Sequence, residues 1–378
     1  MRFSLKKNIY FFVIWFYSKQ KADLFINKFF LKNKYKKAKT TKKFNFAKSF
    51  EMIFLERQEN NPYFNIAAEE YVLKNFSEDV LMLWESKESV VVGKHQNAFA
   101  EINYPFLIDN RIPLIRRISG GGTVYHCKGN INITVLKNSD DNNGTIDFHA
   151  FTTPLIEFLK GFNLNAKFEG KNNLTIDGLK FSGNSAHIYK NKSLHHGTIL
   201  FDADLTTLES IINTNPNNFN DKSVKSIVAK VTNLKPLIKP ETDFKLFKDK
   251  LKTFLLNYYN ISKIHYFTKF EKSEILKLMQ SRYKSWDWNF AYSPNFEFNN
   301  ELMDDEKVYS CNVQIIKGII DSIEIREDNR EDNNELVNIA SVLKGKKLMQ
   351  MSINSALNEA GLEADKIKII LKLLHLLN

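Results

Sequence analysis

The chain has 378 residues and a formal net charge of +11 at pH 7, enough length for two ordinary domains and a tail. The positive balance suggests nucleic acid, but residues 1–50 hold fourteen Lys or Arg and a single acid, so the remainder is close to neutral and offers that reading no footing. Two cysteines, Cys127 and Cys311, with no CxxC or Cys/His ligand spacing, exclude a disulfide framework and a structural metal centre and fit a reducing, cytoplasmic setting.

Residues 1–51 read as a basic, Phe-rich extension. Their apolar run Ile9–Tyr17 is about half the roughly 20 residues a membrane span requires. Lys6 and Lys7 precede it as in a signal peptide, yet Ser18, Lys19, Gln20 and Lys21 follow where a small-residue cleavage site would stand. The acid-poor start is also that of a transit peptide. Met52, directly before the strand-like IFLE, can itself initiate, so the extension is expected to be dispensable or mis-started, with targeting and membrane contact as competing readings.

From Met52 the pattern becomes regular. Asn65 is a plausible N-cap for a helix carrying Glu69 and Glu70, with Ile66, Ala67, Tyr71 and Leu73 near a helical period. Strands are expected at Val80–Trp84, Ser89–Val92, Ile112–Arg116 and Ile131–Leu136, a polar turn at Asp140–Asn143, and a helix over Phe151–Lys160. Between two of these strands lies RRISGGGTVYHCKGN. Gly120, Gly121 and Gly122 allow positive φ and close backbone approach, Arg116 and Arg117 supply charge, and Ser119 a hydroxyl, which together suit an anion cradle. Three glycines alone would read as a hairpin turn; the arginines before them and His126 and Asn130 after them favour the cradle.

A second informative stretch spans residues 170–208. Short strands are expected at Leu174–Ile176, Lys180–Ser182 and His196–Phe201, with a helix starting at Asp202–Asp204. Lys180 follows a tight turn and precedes Ser-Gly-Asn-Ser; a lysine there is commonly a solvated strand end, but small polar neighbours also suit a cation that must reach bound phosphate. His195 and His196 alternate across a strand, so at most one faces a given pocket, and neither is assigned to zinc. Beyond Asp221, KSVKSIVAKVTNLKPLI is strand-like up to Pro236, and helices follow at Asp243–Tyr259 and Lys272–Tyr283. Trp286 and Trp288 in SWDWNF read as core or interdomain packing. Strands at Val308–Ile315 and Ile319–Ile325, an acidic Asn-rich link at Asp328–Asn334, and helices near Glu335–Leu343, Ser352–Leu357 and Ala364–Leu377 complete a small α+β unit. No P-loop, no GxGxxG after a strand and no GxSxG elbow occurs, so kinase, dinucleotide and Ser-hydrolase readings lack support.

Taken in order, NPYFNIAAEEYVL, VVVGKHQN, RRISGGGTVYH with GNIN, KFSGNSA, LHHGTILFDADLTTL, VTNL and SWDWNF resemble the lipoate-protein ligase A family, within the superfamily of biotin-protein ligases and octanoyltransferases. The resemblance covers Met52 to about Gly361. It implies an α+β fold: a mixed-sheet catalytic domain over 52–265 and a smaller α+β accessory domain over 271–378. It also implies ATP-dependent activation of lipoate to lipoyl-adenylate, with Mg²⁺ arriving on ATP, followed by transfer to a lysine of a lipoyl domain. Acceptors would be E2 subunits of 2-oxo acid dehydrogenases and the glycine-cleavage H protein. A monomer without nucleic-acid or membrane contact is expected.

By the same resemblance Lys180 is catalytic, contacting the acyl carbonyl and the α-phosphate. Arg117, Ser119, Gly120, Gly121, Gly122, Thr123, Val124 and Tyr125 would form the loop around lipoate and adenylate. His126, Asn130, Gly183, His196, Gly197 and Thr198 would be pocket walls, with Trp84 and Val91 as candidates for the apolar slot. Two departures stand out: Cys127 where the family often has Asp, and Asn172-Asn173 where Asn-Asp is usual, which removes a carboxylate available to Mg²⁺ or the lysine. Cys127 also opens the reading of a cysteine-nucleophile acyltransferase, which its neighbours do not match. The alternative to the ligase is a lipoyl or octanoyl transferase using a pre-activated donor; a non-catalytic lipoate-binding protein is a third reading.

Overall fold

A computed structural model describes residues 51–138, 146–212, 215–227, 229–239, 241–327 and 334–378. The basic extension before Glu51, the polar turn at Asp140–Asn143 and most of the acidic link after Glu327 lie outside these residues.

Strand β1 (Met52–Glu56) runs into helix α1 (Pro62–Asn75). The helix begins earlier than its apolar spacing suggests: Asn61 caps it, accepting from Phe64 N at 3.1 Å, and Pro62 fills the first turn, where a missing N–H costs nothing. Asn65, the expected cap, is instead buried, bonded to the Arg57 guanidinium and to Glu85 O. Strands β2 (Asp79–Trp84) and β3 (Ser89–Val92) follow, then short helices α2 (Ala98–Glu101) and α3 (Tyr104–Asp109). Next come β4 (Leu114–Arg116), β5 (Val124–His126), β6 (Asn130–Asn138), α4 (Phe148–Lys160), β7 (Lys167–Glu169), β8 (Asn173–Ile176), β9 (Leu179–Tyr189), β10 (Lys192–Leu200) and α5 (Leu205–Ile211).

The main sheet has the order β12-β1-β2-β6-β10-β9-β8-β7, where β12 is Ile264–Tyr266. It is parallel at β12-β1-β2 and antiparallel beyond, hence mixed. Its faces are separated by residue parity. Ile131, Ile133 and Val135 of β6 pack under α4 and α6 (Phe244–Tyr258), with Phe158, Phe247 and Leu251. The opposite face meets α1 through Val80, Met82, Leu136 and Leu194. On that face also sits a second sheet, β4-β3-β5, which directs Val91 and Ile115 inward and Val90, Val92 and Tyr125 outward.

The segment 222–238 forms no strand. Among its described residues the apolar side chains alternate with lysines; Val231 makes an isolated parallel bridge to Lys180 of β9, and Leu234 N donates to Leu200 O at the end of β10 at 2.9 Å. Helix α7 (Lys269–Leu278), read from sequence as the start of the C-terminal domain, packs on α1 through Ile275, so the hydrophobic core on the α1 side of the main sheet continues to Trp288. The C-terminal sheet is β11-β13-β14-β15, from Phe219–Asp221, Phe296–Asp304, Lys307–Ile316 and Ile319–Glu327. Its inner residues Phe298, Val313 and Ile320 pack on helices α8 (Asn334–Leu343), α9 (Gln350–Glu359) and α10 (Ala364–Leu373). Strand β13 escapes notice in the sequence because Asn and Glu, poor strand formers, occupy its outer face.

Candidate active site

The glycine loop joins β4 to β5 and covers the face of the main sheet beside α1. Arg117 shapes it from within. Its Nη2 donates to Gly120 O at 2.6 Å and Gly122 O at 2.7 Å, Nη1 to Val91 O at 3.0 Å, and Nε to Ser119 Oγ at 2.9 Å. Gly121 has φ +85°, and a Cβ at Gly93 would lie 2.1 Å from Gly121 O, so both positions require glycine. Gly120 faces open space. Arg116 points the other way: its guanidinium is fully buried and donates to the carbonyls of Gly93, Gln96, Trp288 and Asn289 and to Ser293 Oγ. Of the two arginines expected to bring charge to a ligand, one organises the loop and the other locks it to the SWDWNF turn. Burial brings both guanidinium pKa values down to about 10.

Beneath the loop runs a buried relay. Ser119 Oγ is 2.6 Å from His196 Nε2, and His196 Nδ1 is 3.0 Å from Glu69 Oε2. The carboxylate places the ring proton on Nδ1, so Nε2 accepts from the Ser119 hydroxyl, whose oxygen in turn accepts from Arg117. Glu69 also accepts from Thr134 Oγ1 at 2.6 Å, and Thr134 accepts from Trp84 Nε1 at 2.9 Å. Burial raises the Glu69 pKa, but His196, Thr134 and Arg57 outweigh it and hold the carboxyl below its usual range. Glu69 was visible in sequence only as a helical acid. Two carboxylates on one helix gave a signal, but their burial depends on tertiary packing.

His126 projects toward Trp84, ring to ring at 5.5 Å, and burial drops its pKa to about 3. Among the described residues its Nδ1 has no partner, nor do Asn130 Oδ1 and Asn132 Nδ2, while Asn130 Nδ2 donates to Asn132 Oδ1 at 3.2 Å. Val124 packs inward beside them. Tyr125 and Cys127 point away, into the core shared with Leu200 and Ala203; burial raises the Cys127 thiol pKa, which opposes a nucleophilic role.

Lys180 stands at the edge of this face, on β9 opposite Thr175 and bridged to Val231. Burial and the nearby Arg117 lower its pKa. A Cβ at Gly183 would lie 2.9 Å from Lys180 Cε and 3.0 Å from Nζ, so the absent side chain is what lets the lysine lie across the strand. Asn173 pairs with Gly183, while the Asn172 amide is held by Asn184 O. Gly197 leaves room for the Asn184 side chain, whose Oδ1 would be 2.0 Å from a Cβ there. Thr198 is buried and pairs with Asn132.

Thr123 belongs to a cluster that the sequence did not reveal. Its N–H donates to Ser226 Oγ at 2.9 Å and its hydroxyl to Gln96 Oε1 at 3.1 Å, while Ser226 binds the Glu101 carboxylate. The irregular segment after β11 is thereby fastened over the glycine loop.

A family model described as the lipoyl protein ligase A/B catalytic domain matches residues 61–256. A probable lipoate-protein ligase A of Mycoplasma pneumoniae is 32% identical, with 72% of this chain and 82% of that protein covered. Lipoate-protein ligase LplJ of Bacillus subtilis is 30% identical, with 73% and 85% covered. Two solved structures share the fold. P. falciparum LipL1 in complex with lipoate has a TM-score of 0.55 at 23% identity, covering 84% of this chain and 98% of that one. A lipoate-protein ligase A bound with ATP has a TM-score of 0.54 at 22% identity, covering 64% and 98%. The mixed sheet under a glycine loop is the scaffold of an acyl-protein ligase, an enzyme. The chain belongs to the lipoate-protein ligase A family.

Proposed function

We propose that this enzyme activates lipoate with ATP to lipoyl-adenylate and pyrophosphate, then transfers the lipoyl group to a lysine of a lipoyl domain. The observation that carries this reading is Lys180, laid across Gly183 on the same face of the main sheet as the buried polar atoms of His126, Asn130 and Asn132 that have no partner among the described residues. A fixed cation there stabilises the charge that develops when the carboxylate attacks the α-phosphorus, and again when an acceptor amine attacks the mixed anhydride. Arg117 holds the loop backbone, and Ser119, His196 and Glu69 keep the wall beneath it in one hydrogen-bond polarity. Trp84 and Val91 supply the apolar lining.

Among the described residues no group of three or more His, Cys, Asp or Glu could hold a metal, and Asn173 stands where a carboxylate is usual. Mg²⁺ would therefore enter on the phosphates of ATP, and none of the roles above depends on it. For the acceptor, a solved relative is described as a bi-partite lipoate protein ligase with its E2 lipoyl domain. E2 subunits and the glycine-cleavage H protein are the acceptors we assign.

Mass spectrometry of a lipoyl domain incubated with the enzyme, lipoate and ATP tests the proposal. A lipoyl mass on one lysine, dependent on ATP, is expected. Modification only from a preformed lipoyl thioester, without ATP, would favour the transferase instead.

A further inference from the structure

Resting on the lipoate-ligase reading, the geometry assigns Asn132 as the residue that distinguishes a dithiolane-bearing acid from a plain straight-chain acid of equal length, its Nδ2 donating to a ring sulfur. The argument starts from strand register. Gly197 pairs with Asn184, which sets Gly183 level with Thr198; Thr198 pairs with Asn132, and Asn132 with Trp84. Gly183, Thr198, Asn132 and Trp84 thus form one row across β9, β10, β6 and β2, starting beneath the Lys180 ammonium. At about 4.8 Å per strand, Asn132 lies roughly 10 Å from the Gly183 end. An extended eight-carbon acid with its carboxyl at Lys180 and its chain along this row sets its distal carbons over Asn132 and against Trp84.

The chemistry at that depth is selective. Asn132 is buried, and among the described residues its Nδ2 has no partner, while its Oδ1 is fixed by Asn130. The Asn130 contact orients the amide, so the free N–H has a set direction. An alkyl chain laid over it leaves a buried donor unpaired, whereas a disulfide sulfur of the dithiolane, a weak acceptor, gives that donor a partner. A site with a committed polar group rejects the analogue lacking the partner more strongly than it rejects a change in bulk.

Calorimetric titration of the full chain with lipoate and with octanoate tests this, comparing wild type, Asn132→Leu and Asn132→Ala. The wild type is expected to favour lipoate by about tenfold or more, the worth of one such bond and its unpaired donor. Asn132→Leu should lose that margin, with lipoate weakened and octanoate held or improved, and octanoate binding then reports an intact pocket. Asn132→Ala should lose the same preference without the added bulk. An unchanged ratio in both variants, parallel loss of both acids, or no preference in the wild type would overturn the assignment. Pyrophosphate release measured alongside separates the two readings, because a protein that binds lipoate selectively yet releases none refutes the ligase while leaving Asn132 its role.

Discussion

His126 closes the RRISGGGTVYH motif, and its burial has a measurable consequence. Its pKa falls from 6.5 to about 3, so the unfolded chain takes up a proton that the folded chain does not. The stabilising difference is complete above pH 6.5 and drains away as pH falls toward the folded value. Glu69, held low, adds a loss of its own as pH falls through its folded pKa. Thermal melts of His126→Gln between about pH 7 and 4 should therefore show a shallower decline in Tm than wild type. Equal slopes would mean that His126 is solvated or protonated in the fold. At this scale the glycine run and its arginines stood out by their neighbours, whereas Lys180 and His196 gained their expected roles only from the family resemblance. Glu69, Asn132 and Ser226 stood out by neither, because an acid, an amide and a hydroxyl acquire meaning only from the strands and helices that enclose them.

Among the elements, the SWDWNF turn shows how the C-terminal part of the chain is joined to the site. Trp288 Nε1 donates to Arg116 O at 2.7 Å, and Asn289 Oδ1 accepts from Arg116 N at 2.9 Å, while the Arg116 guanidinium returns bonds to the same turn. The packing role read from sequence for Trp288 thus has a partner: the backbone of β4, one residue before the arginine that shapes the glycine loop, while Trp286 packs against Gly318 and Lys347 of the C-terminal unit. Arg116→Met keeps the aliphatic stem but leaves several buried carbonyls unpaired, and should lower unfolding free energy by about 3 kcal/mol or more in urea titration. A loss under about 0.5 kcal/mol would show that water replaces the guanidinium at no cost. Strands dense in apolar or β-branched residues, such as β2, β3, β6, β14 and β15, were recoverable from the sequence, whereas β5 and β12, three residues each, offer too short an alternation to detect.

In the whole molecule, two sheets and a C-terminal unit meet around the glycine loop. The loop joins two strands of the small sheet and lies on the main sheet, and β11, hydrogen-bonded into the C-terminal sheet, leads directly into the segment fastened over the loop through Ser226. The order of motifs along the chain disclosed the family, whereas the pairing of β11 with β13 left no trace in the sequence. The central claim is that Lys180 and the loop activate a carboxylic acid. Pyrophosphate release with lipoate and ATP, in the absence of any acceptor, tests it most directly. Wild type should release pyrophosphate in proportion to enzyme, and Lys180→Ala should reduce the rate by at least about 100-fold, the scale of losing one preorganised charge. Release that is absent from the wild type, or undiminished in the variant, would contradict the account.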